Sequence, residues 1–177
     1  MEKFAEKLEQ YVLPVAHKLG QQPHLSAVRD GFITTMPLSL TGALVVMLSN
    51  VFFGRYTLIG EQLNRLGFWD NTVQPFLDVT VLPVLNQIWW GTLALTVLFT
   101  IIAISYKMAK QRNEDGLAPA LAAVSAYLIL LPQTTVVGDT EAWGVISWNS
   151  FNSQAIFAGL VMALLVPEIF CWVKRKG

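Results

Sequence analysis

The residues whose types could carry chemistry in this sequence are few: His17, His24, Glu168 and Cys171. His17 and His24 stand two helical turns apart, a spacing that can present two imidazoles on one face to accept a phosphoryl group or hold a metal. Pro23 interrupts any single helix covering both, so a packing or surface role is the favoured reading. Glu168 lies inside the apolar run "AIFAGLVMALLVPEIFCWV". An ionisable group in such a run is a functional hypothesis by default. The competing reading is an anchor that reaches toward the basic tail, with Arg175 along the same face. Cys171 is the one cysteine, which excludes an internal disulfide and a cysteine metal cluster, and it reads as a small apolar filler. No phosphate-cradling glycine loop, zinc-ligand spacing or nucleophile elbow occurs. The residues therefore nominate no catalytic group, no metal and no cofactor.

The elements that would position these residues are written in the distribution of charge. Only 14% of the 177 residues are charged and 54% are hydrophobic, against about a quarter charged in a soluble domain. Charge is missing from four stretches near bilayer-crossing length, the mark of a polytopic helical membrane protein. The all-α expectation is about four spans, near residues 31–53, 88–106, 117–137 and 155–173. The eleven Leu, Ile, Val and Phe residues of the first span contribute roughly −3 to −7 kcal/mol to insertion. Residues 1–22 hold Glu2, Glu6 and Glu9 among lysines and lack an apolar signal core. They read as an amphipathic interfacial helix with Phe4, Leu8, Val12, Val15 and Leu19 on one face. Pro83 marks irregular structure at the entry to the second span, and residues 59–66 form a short helix outside the bilayer.

Formal net charge is zero, so there is no electrostatic case for nucleic acid. The basic residues do orient the chain. Lys3, Lys7, Lys18 and Arg29, then Lys107, Lys110 and Arg112, then Lys174, Arg175 and Lys176 fall on one side of a four-span arrangement, and Arg55 and Arg65 on the other. The expectation is both termini in the cytoplasm of a bacterial plasma membrane protein.

The first span is unusually rich in small and hydroxylated residues. Gly31, Thr35, Ser39, Gly42, Val46 and Asn50 follow at three- and four-residue steps, forming a narrow seam. The third span repeats it with Ala118, Ala122 and Ala126, the fourth with Ala155, Gly159 and Ala163. Lipid supplies no hydrophobic drive between helices, so close approach through small residues is how they associate. Helix packing is the favoured use of Gly31, Thr35, Ser39, Gly42, Gly159 and Ala163; a polar lining for a solute path is the alternative. Seams in several helices also call for further helices or a second copy of the chain.

Longer stretches resemble a known family. "LEQYVLPVAHKLGQQPHLSAVRDGFITTMPLSLTGALVVMLSNVFF", with its short amphipathic start and first span ending near "NVF", is similar to the opening of the membrane-embedded IIC components of the bacterial sugar phosphotransferase system. The branch is the one that handles lactose, cellobiose and N,N′-diacetylchitobiose. "WWGTLALTVLFTIIAISYKMAKQRNEDGLAPALAAVSAYLILLP" and "AIFAGLVMALLVPEIFCWVKRK" continue the likeness.

The resemblance implies a homodimeric disaccharide permease, served by IIA and IIB partners that bring the phosphoryl group. It implies no phosphorylation of the IIC chain itself, so Cys171 is not expected to be a phosphocysteine. Family members are considerably longer, and their sugar-gripping histidine and "NEP" glutamate lie in a C-terminal half with no counterpart here. The expectation is the N-terminal, scaffold and dimerisation part of a IIC membrane domain, spanning residues 1–177. No substrate-binding residue is carried over to it, and it is expected neither to bind nor to transport sugar alone. The rivals are a structural or regulatory membrane subunit that associates with a full-length relative, and a small stand-alone pore.

Overall fold

The computed structural model describes residues 20–57, 59–138 and 140–177, so the expected helix over residues 1–22 falls almost wholly outside the described residues, as does His17. The chain forms two compact units. One is built from the segment up to Thr34 with Leu98–Pro132 and Phe157–Gly177; the other from Thr35–Val97 and Gln133–Ile156.

Helix α1 spans Pro23–Met47 and runs on through wider turns over Leu48–Phe53. Pro23 suits its first position, where a backbone N–H would have no partner. The hydroxyls in this helix are spent at home: Thr34 donates to the Asp30 carbonyl at 2.7 Å and Thr41 to that of Pro37 at 2.9 Å. The Asn50 amide donates to Val46 at 3.0 Å in the same way. Such back-bonding lets an exposed threonine sit in an apolar helix without an unpaired donor.

In the first unit the central element is α4, Thr96–Gln111. It buries Ile101, Ile104, Ser105 and Met108 to 1% exposure or less. Its end is a left-handed turn at Asn113, φ 60°, with the Glu114 N–H bonded to the Ala109 carbonyl and the Asn113 N–H to that of Lys110, both at 3.1 Å. That paired bonding is the Schellman stop, with asparagine standing where glycine is commoner. Helix α5, Leu117–Leu130, buries Pro119, Ala120, Ala123 and Tyr127. Helix α6, Ile156–Lys176, buries Gly159, Ala163, Pro167 and Cys171 at four-residue steps. Large apolar side chains point the other way, Phe157, Val161, Leu165 and Ile169 on α6 and Phe32, Ile33 and Met36 on α1. Small groups inside and large apolar groups outside is the arrangement a lipid solvent selects.

The second unit holds the connections. Helix α2, Gly60–Asn64, is followed by wide helical turns over Trp69–Val73 and Leu77–Val81, then by α3, Leu82–Gly91. Pro83 thus stands at the first turn of a helix that wide turns lead into. The helical path breaks at Thr92, φ −120° and ψ −86°, where the Thr92 hydroxyl donates to the Ile88 carbonyl at 2.7 Å. A tight turn over Leu93–Leu95 then leads into α4. Strands β1, Thr134–Val137, and β2, Thr140–Trp143, pair antiparallel with Thr134 opposite Trp143 and Val137 opposite Thr140. Gly138, φ 65°, supplies the left-handed backbone that the tight reversal needs.

Three helical stretches are long and apolar enough to cross a bilayer, Pro23–Phe53, Trp69–Gln111 and Ser153–Lys176, of 31, 43 and 24 residues. The third expected span, residues 117–137, is helical only over 14 residues, about 21 Å of helix. Pro132 forces the preceding Leu131 out of helical backbone, ψ 142°, and the next residues pair as a strand. The fold class is that of a helical membrane protein, with one short hairpin added.

Candidate functional site

Two places gather polar side chains, one in each unit. In the first unit they collect where α4, α5 and α6 end or begin. Arg112 donates to the Glu168 carboxylate, and His24 Nε2 lies 3.3 Å from the same Glu168 oxygen. Arg175 Nη2 donates to the Arg112 backbone carbonyl at 2.8 Å, and Lys174 pairs with Glu114. Glu168 is thus held by a partner from another helix, whereas Arg175, expected along its face, engages the arginine's backbone instead. The physical reason is reach: the Schellman turn at Asn113 carries Arg112 toward α6, and the shortest cation path to Glu168 is across, not along. The cluster neutralises an acid that would otherwise stand at a membrane face. Among the described residues, no group of three or more His, Cys, Asp and Glu side chains converges as a metal site would.

The seam residues are placed as follows. Gly31 is buried, and a Cβ there would collide with Ile104 of the same unit. Gly42 is buried in the second unit, where a Cβ would stand 2.5 Å from Leu93 Cγ and 2.7 Å from Thr92 Oγ1. Thr35 is buried and Ser39 half-buried. Gly159 and Ala163 share the inner face of α6, where the Ala163 carbonyl accepts from Ser105 Oγ at 3.2 Å. In α5 the expected set is displaced: Ala118 is exposed, and the inward face is Ala120, Ala123 and Tyr127. Tyr127 decides this, because burying one large ring turns the helix further than burying a third alanine.

In the second unit, Ser49, Asn50 and Gly54 from the end of the first long helix face Leu82, Leu85, Asn86 and Trp89 of α3 around a cleft of about 410 Å³, floored by Val45 and Val46. Trp89 is fixed by edge-on packing against Trp90 and Trp148, ring centres 5.6 Å away in each case. Nearby, Gln74 is fully buried and donates to the Phe53 carbonyl at 3.1 Å and to Asp78 Oδ1 at 2.9 Å. Arg55 bridges Asp70 at 3.1 Å and Asp78 at 3.3 Å. The convergence of Ser49, Asn50, Asn86 and Trp89 was not anticipated from sequence. The signal available was three polar residues and a tryptophan at the ends of two apolar runs, which has no periodicity linking one run to the other.

No family model matches the chain. It is 26% identical, over its whole length, to the cellobiose-specific EIIC component of the phosphotransferase system of Geobacillus stearothermophilus. It is 29% identical, over 82% of its length, to the cellobiose-specific EIIC component of Lactococcus lactis. Among solved structures it is similar to the transporter ChbC, the IIC component of the N,N′-diacetylchitobiose-specific phosphotransferase system, with a TM-score of 0.74 and 26% identity across 96% of this chain. The chain spans 38% of the length of the Geobacillus relative and 38% of ChbC. The resemblance to IIC components read from the residues is thereby borne out, in sequence and in fold.

Proposed function

We propose that this chain, a relative of the phosphotransferase IIC components, supplies the membrane scaffold of a permease for a β-linked disaccharide such as cellobiose or diacetylchitobiose, and does not carry sugar across the bilayer by itself. One observation carries the reading: the likeness to cellobiose and diacetylchitobiose IIC components runs along essentially all of this chain but accounts for 38% of each relative. The described residues add support, since the acid nearest a membrane interior, Glu168, is engaged by Arg112 and His24 rather than left to grip a hydroxyl.

On this reading residues 1–177 form the scaffold and dimerisation part, in the plasma membrane of a bacterium, with both termini in the cytoplasm. Its partners are a second copy or a full-length IIC chain, and the IIA and IIB proteins that bring the phosphoryl group. The chain contributes no catalytic residue, metal or cofactor to the transfer.

The test is uptake of labelled cellobiose and diacetylchitobiose in a host deleted for its own permeases. Uptake by this chain alone, above an empty vector, refutes the reading. Uptake restored only when the remaining portion of a IIC relative is supplied as a second polypeptide supports it. Silence in both arms favours a structural or regulatory subunit.

A further inference from the structure

The cleft in the second unit has a lining that serves neither the scaffold role nor a lipid chain. Its polar groups are two amides and a hydroxyl, with no charged side chain among them. Asn50 spends one amide hydrogen on the Val46 carbonyl, which leaves its Oδ1 to accept. The Ser49 hydroxyl and the Asn86 amide make no hydrogen bond among the described residues. Unpaired amides beside an apolar floor cost free energy that a suitable ligand recovers. An acyl chain would fill the volume and leave every one of them unpaired.

The indole of Trp89 completes the wall, and its packing against Trp90 and Trp148 fixes its orientation before any ligand arrives. A cleft of about 410 Å³, mostly apolar with a few convergent polar groups, has the size and character of a small-molecule site. The ligand that matches neutral donors and acceptors on one side and an aromatic, apolar wall on the other is a neutral, polyhydroxylated ring. An anion or cation would find no counter-charge in this lining.

We infer that Ser49, Asn50, Asn86 and Trp89 form a binding subsite for a neutral sugar, distinct from any residue the sequence resemblance nominates. This deepens the permease reading, from which it takes only the choice of probe, and it departs from the expectation that the chain offers no sugar-binding group. Asn50 and Asn86 would hydrogen-bond ring hydroxyls, Ser49 would add a third donor or acceptor, and Trp89 would shelter the less polar face.

The test is calorimetric titration of the purified chain with cellobiose and with diacetylchitobiose. It is run in a detergent without a sugar headgroup, because alkyl glucosides and maltosides would occupy the cleft. Saturable binding is expected, weakened about tenfold in Asn86→Leu and in Asn50→Leu, each of which removes hydrogen bonds to the ligand. Glucuronate, the charged control, is expected not to bind. Asn86 and Asn50 are exposed, so both variants should fold, and their melting temperatures are compared with the parent chain to verify it. No saturable heat with either disaccharide, or equal affinity in the parent chain and both variants, overturns the subsite. The two readings fail separately, since binding in micelles involves no translocation and uptake restored by a second polypeptide does not require this cleft.

Discussion

Arg112 and Glu168 stand 56 residues apart in the chain, and the guanidinium of the first donates to the carboxylate of the second. Their side chains are 33% and 29% exposed, and Arg112 Nε is buried with no partner among the described residues. The pair therefore sits between the surface regime, where an ion pair contributes little, and the buried regime, where breaking it is costly.

The single variants Arg112→Leu and Glu168→Leu should each destabilise the folded chain by about 2 kcal/mol, because each leaves one partly buried charge without its counterpart. The double variant should recover most of that loss. The measurement is thermal unfolding in detergent. Single variants that melt with the parent chain, or a double variant worse than both, would show that the contact is incidental.

A second expectation concerns the glycines. From sequence, Gly42 and Gly159 promised contacts between chains. The structure instead places Gly31 against Ile104 and Gly42 against Leu93 and Thr92, within the chain. Gly31→Leu and Gly42→Leu should therefore lower the melting temperature first, by an overpacking cost of about 1–3 kcal/mol. Size-exclusion profiles read whether association changes separately. Two variants that fold as well as the parent but lose a dimer would return both positions to an interchain interface.

The second unit offers a graded pair. Gln74 is fully buried and serves the Phe53 carbonyl and Asp78, and it accepts from Trp69 Nε1 at 3.4 Å. Gln74→Leu should cost about 2–3 kcal/mol by stranding those groups. Arg55→Ala, whose ion pairs to Asp70 and Asp78 are largely solvated, should cost less than about 1 kcal/mol. Urea titration of both variants in mixed micelles checks the order, and a reversed ranking would discard the account.

The orientation inferred from the basic residues has its own test. Alkaline phosphatase fused after positions within 54–64 or 138–144 should be active, and fused after Arg112 or Lys176 should be silent. Activity after Arg112 would turn the topology over.

Membrane insertion and helical class were legible in the sequence, because lipid tolerates almost no charge and every apolar run announces itself one residue at a time. The stop after α5 was legible too in principle, since Pro132 and the residue before it obey a local steric rule, yet hydropathy alone carried the expected span through to Val137. The family resemblance was legible in "QPHLSAVRDGF" and the runs that follow, as the comparisons with EIIC components bear out.

What needed the tertiary structure were relations between distant residues. Periodicity ranks faces on one helix, but it is silent on which face wins when alanines and a tyrosine compete, as Tyr127 does in α5. It also cannot name the partner of Glu168, because a side chain of Arg112's length reaches in directions set by the turn at Asn113. The cleft is the clearest case. Ser49 and Asn50 belong to one helix and Asn86 and Trp89 to another, and only packing, through Gly42 against Leu93 and the tryptophans against one another, brings them to one wall. Sequence determines what each residue can do locally; which of them meet is decided by shape, in a lipid solvent where close fit rather than water exclusion holds helices together.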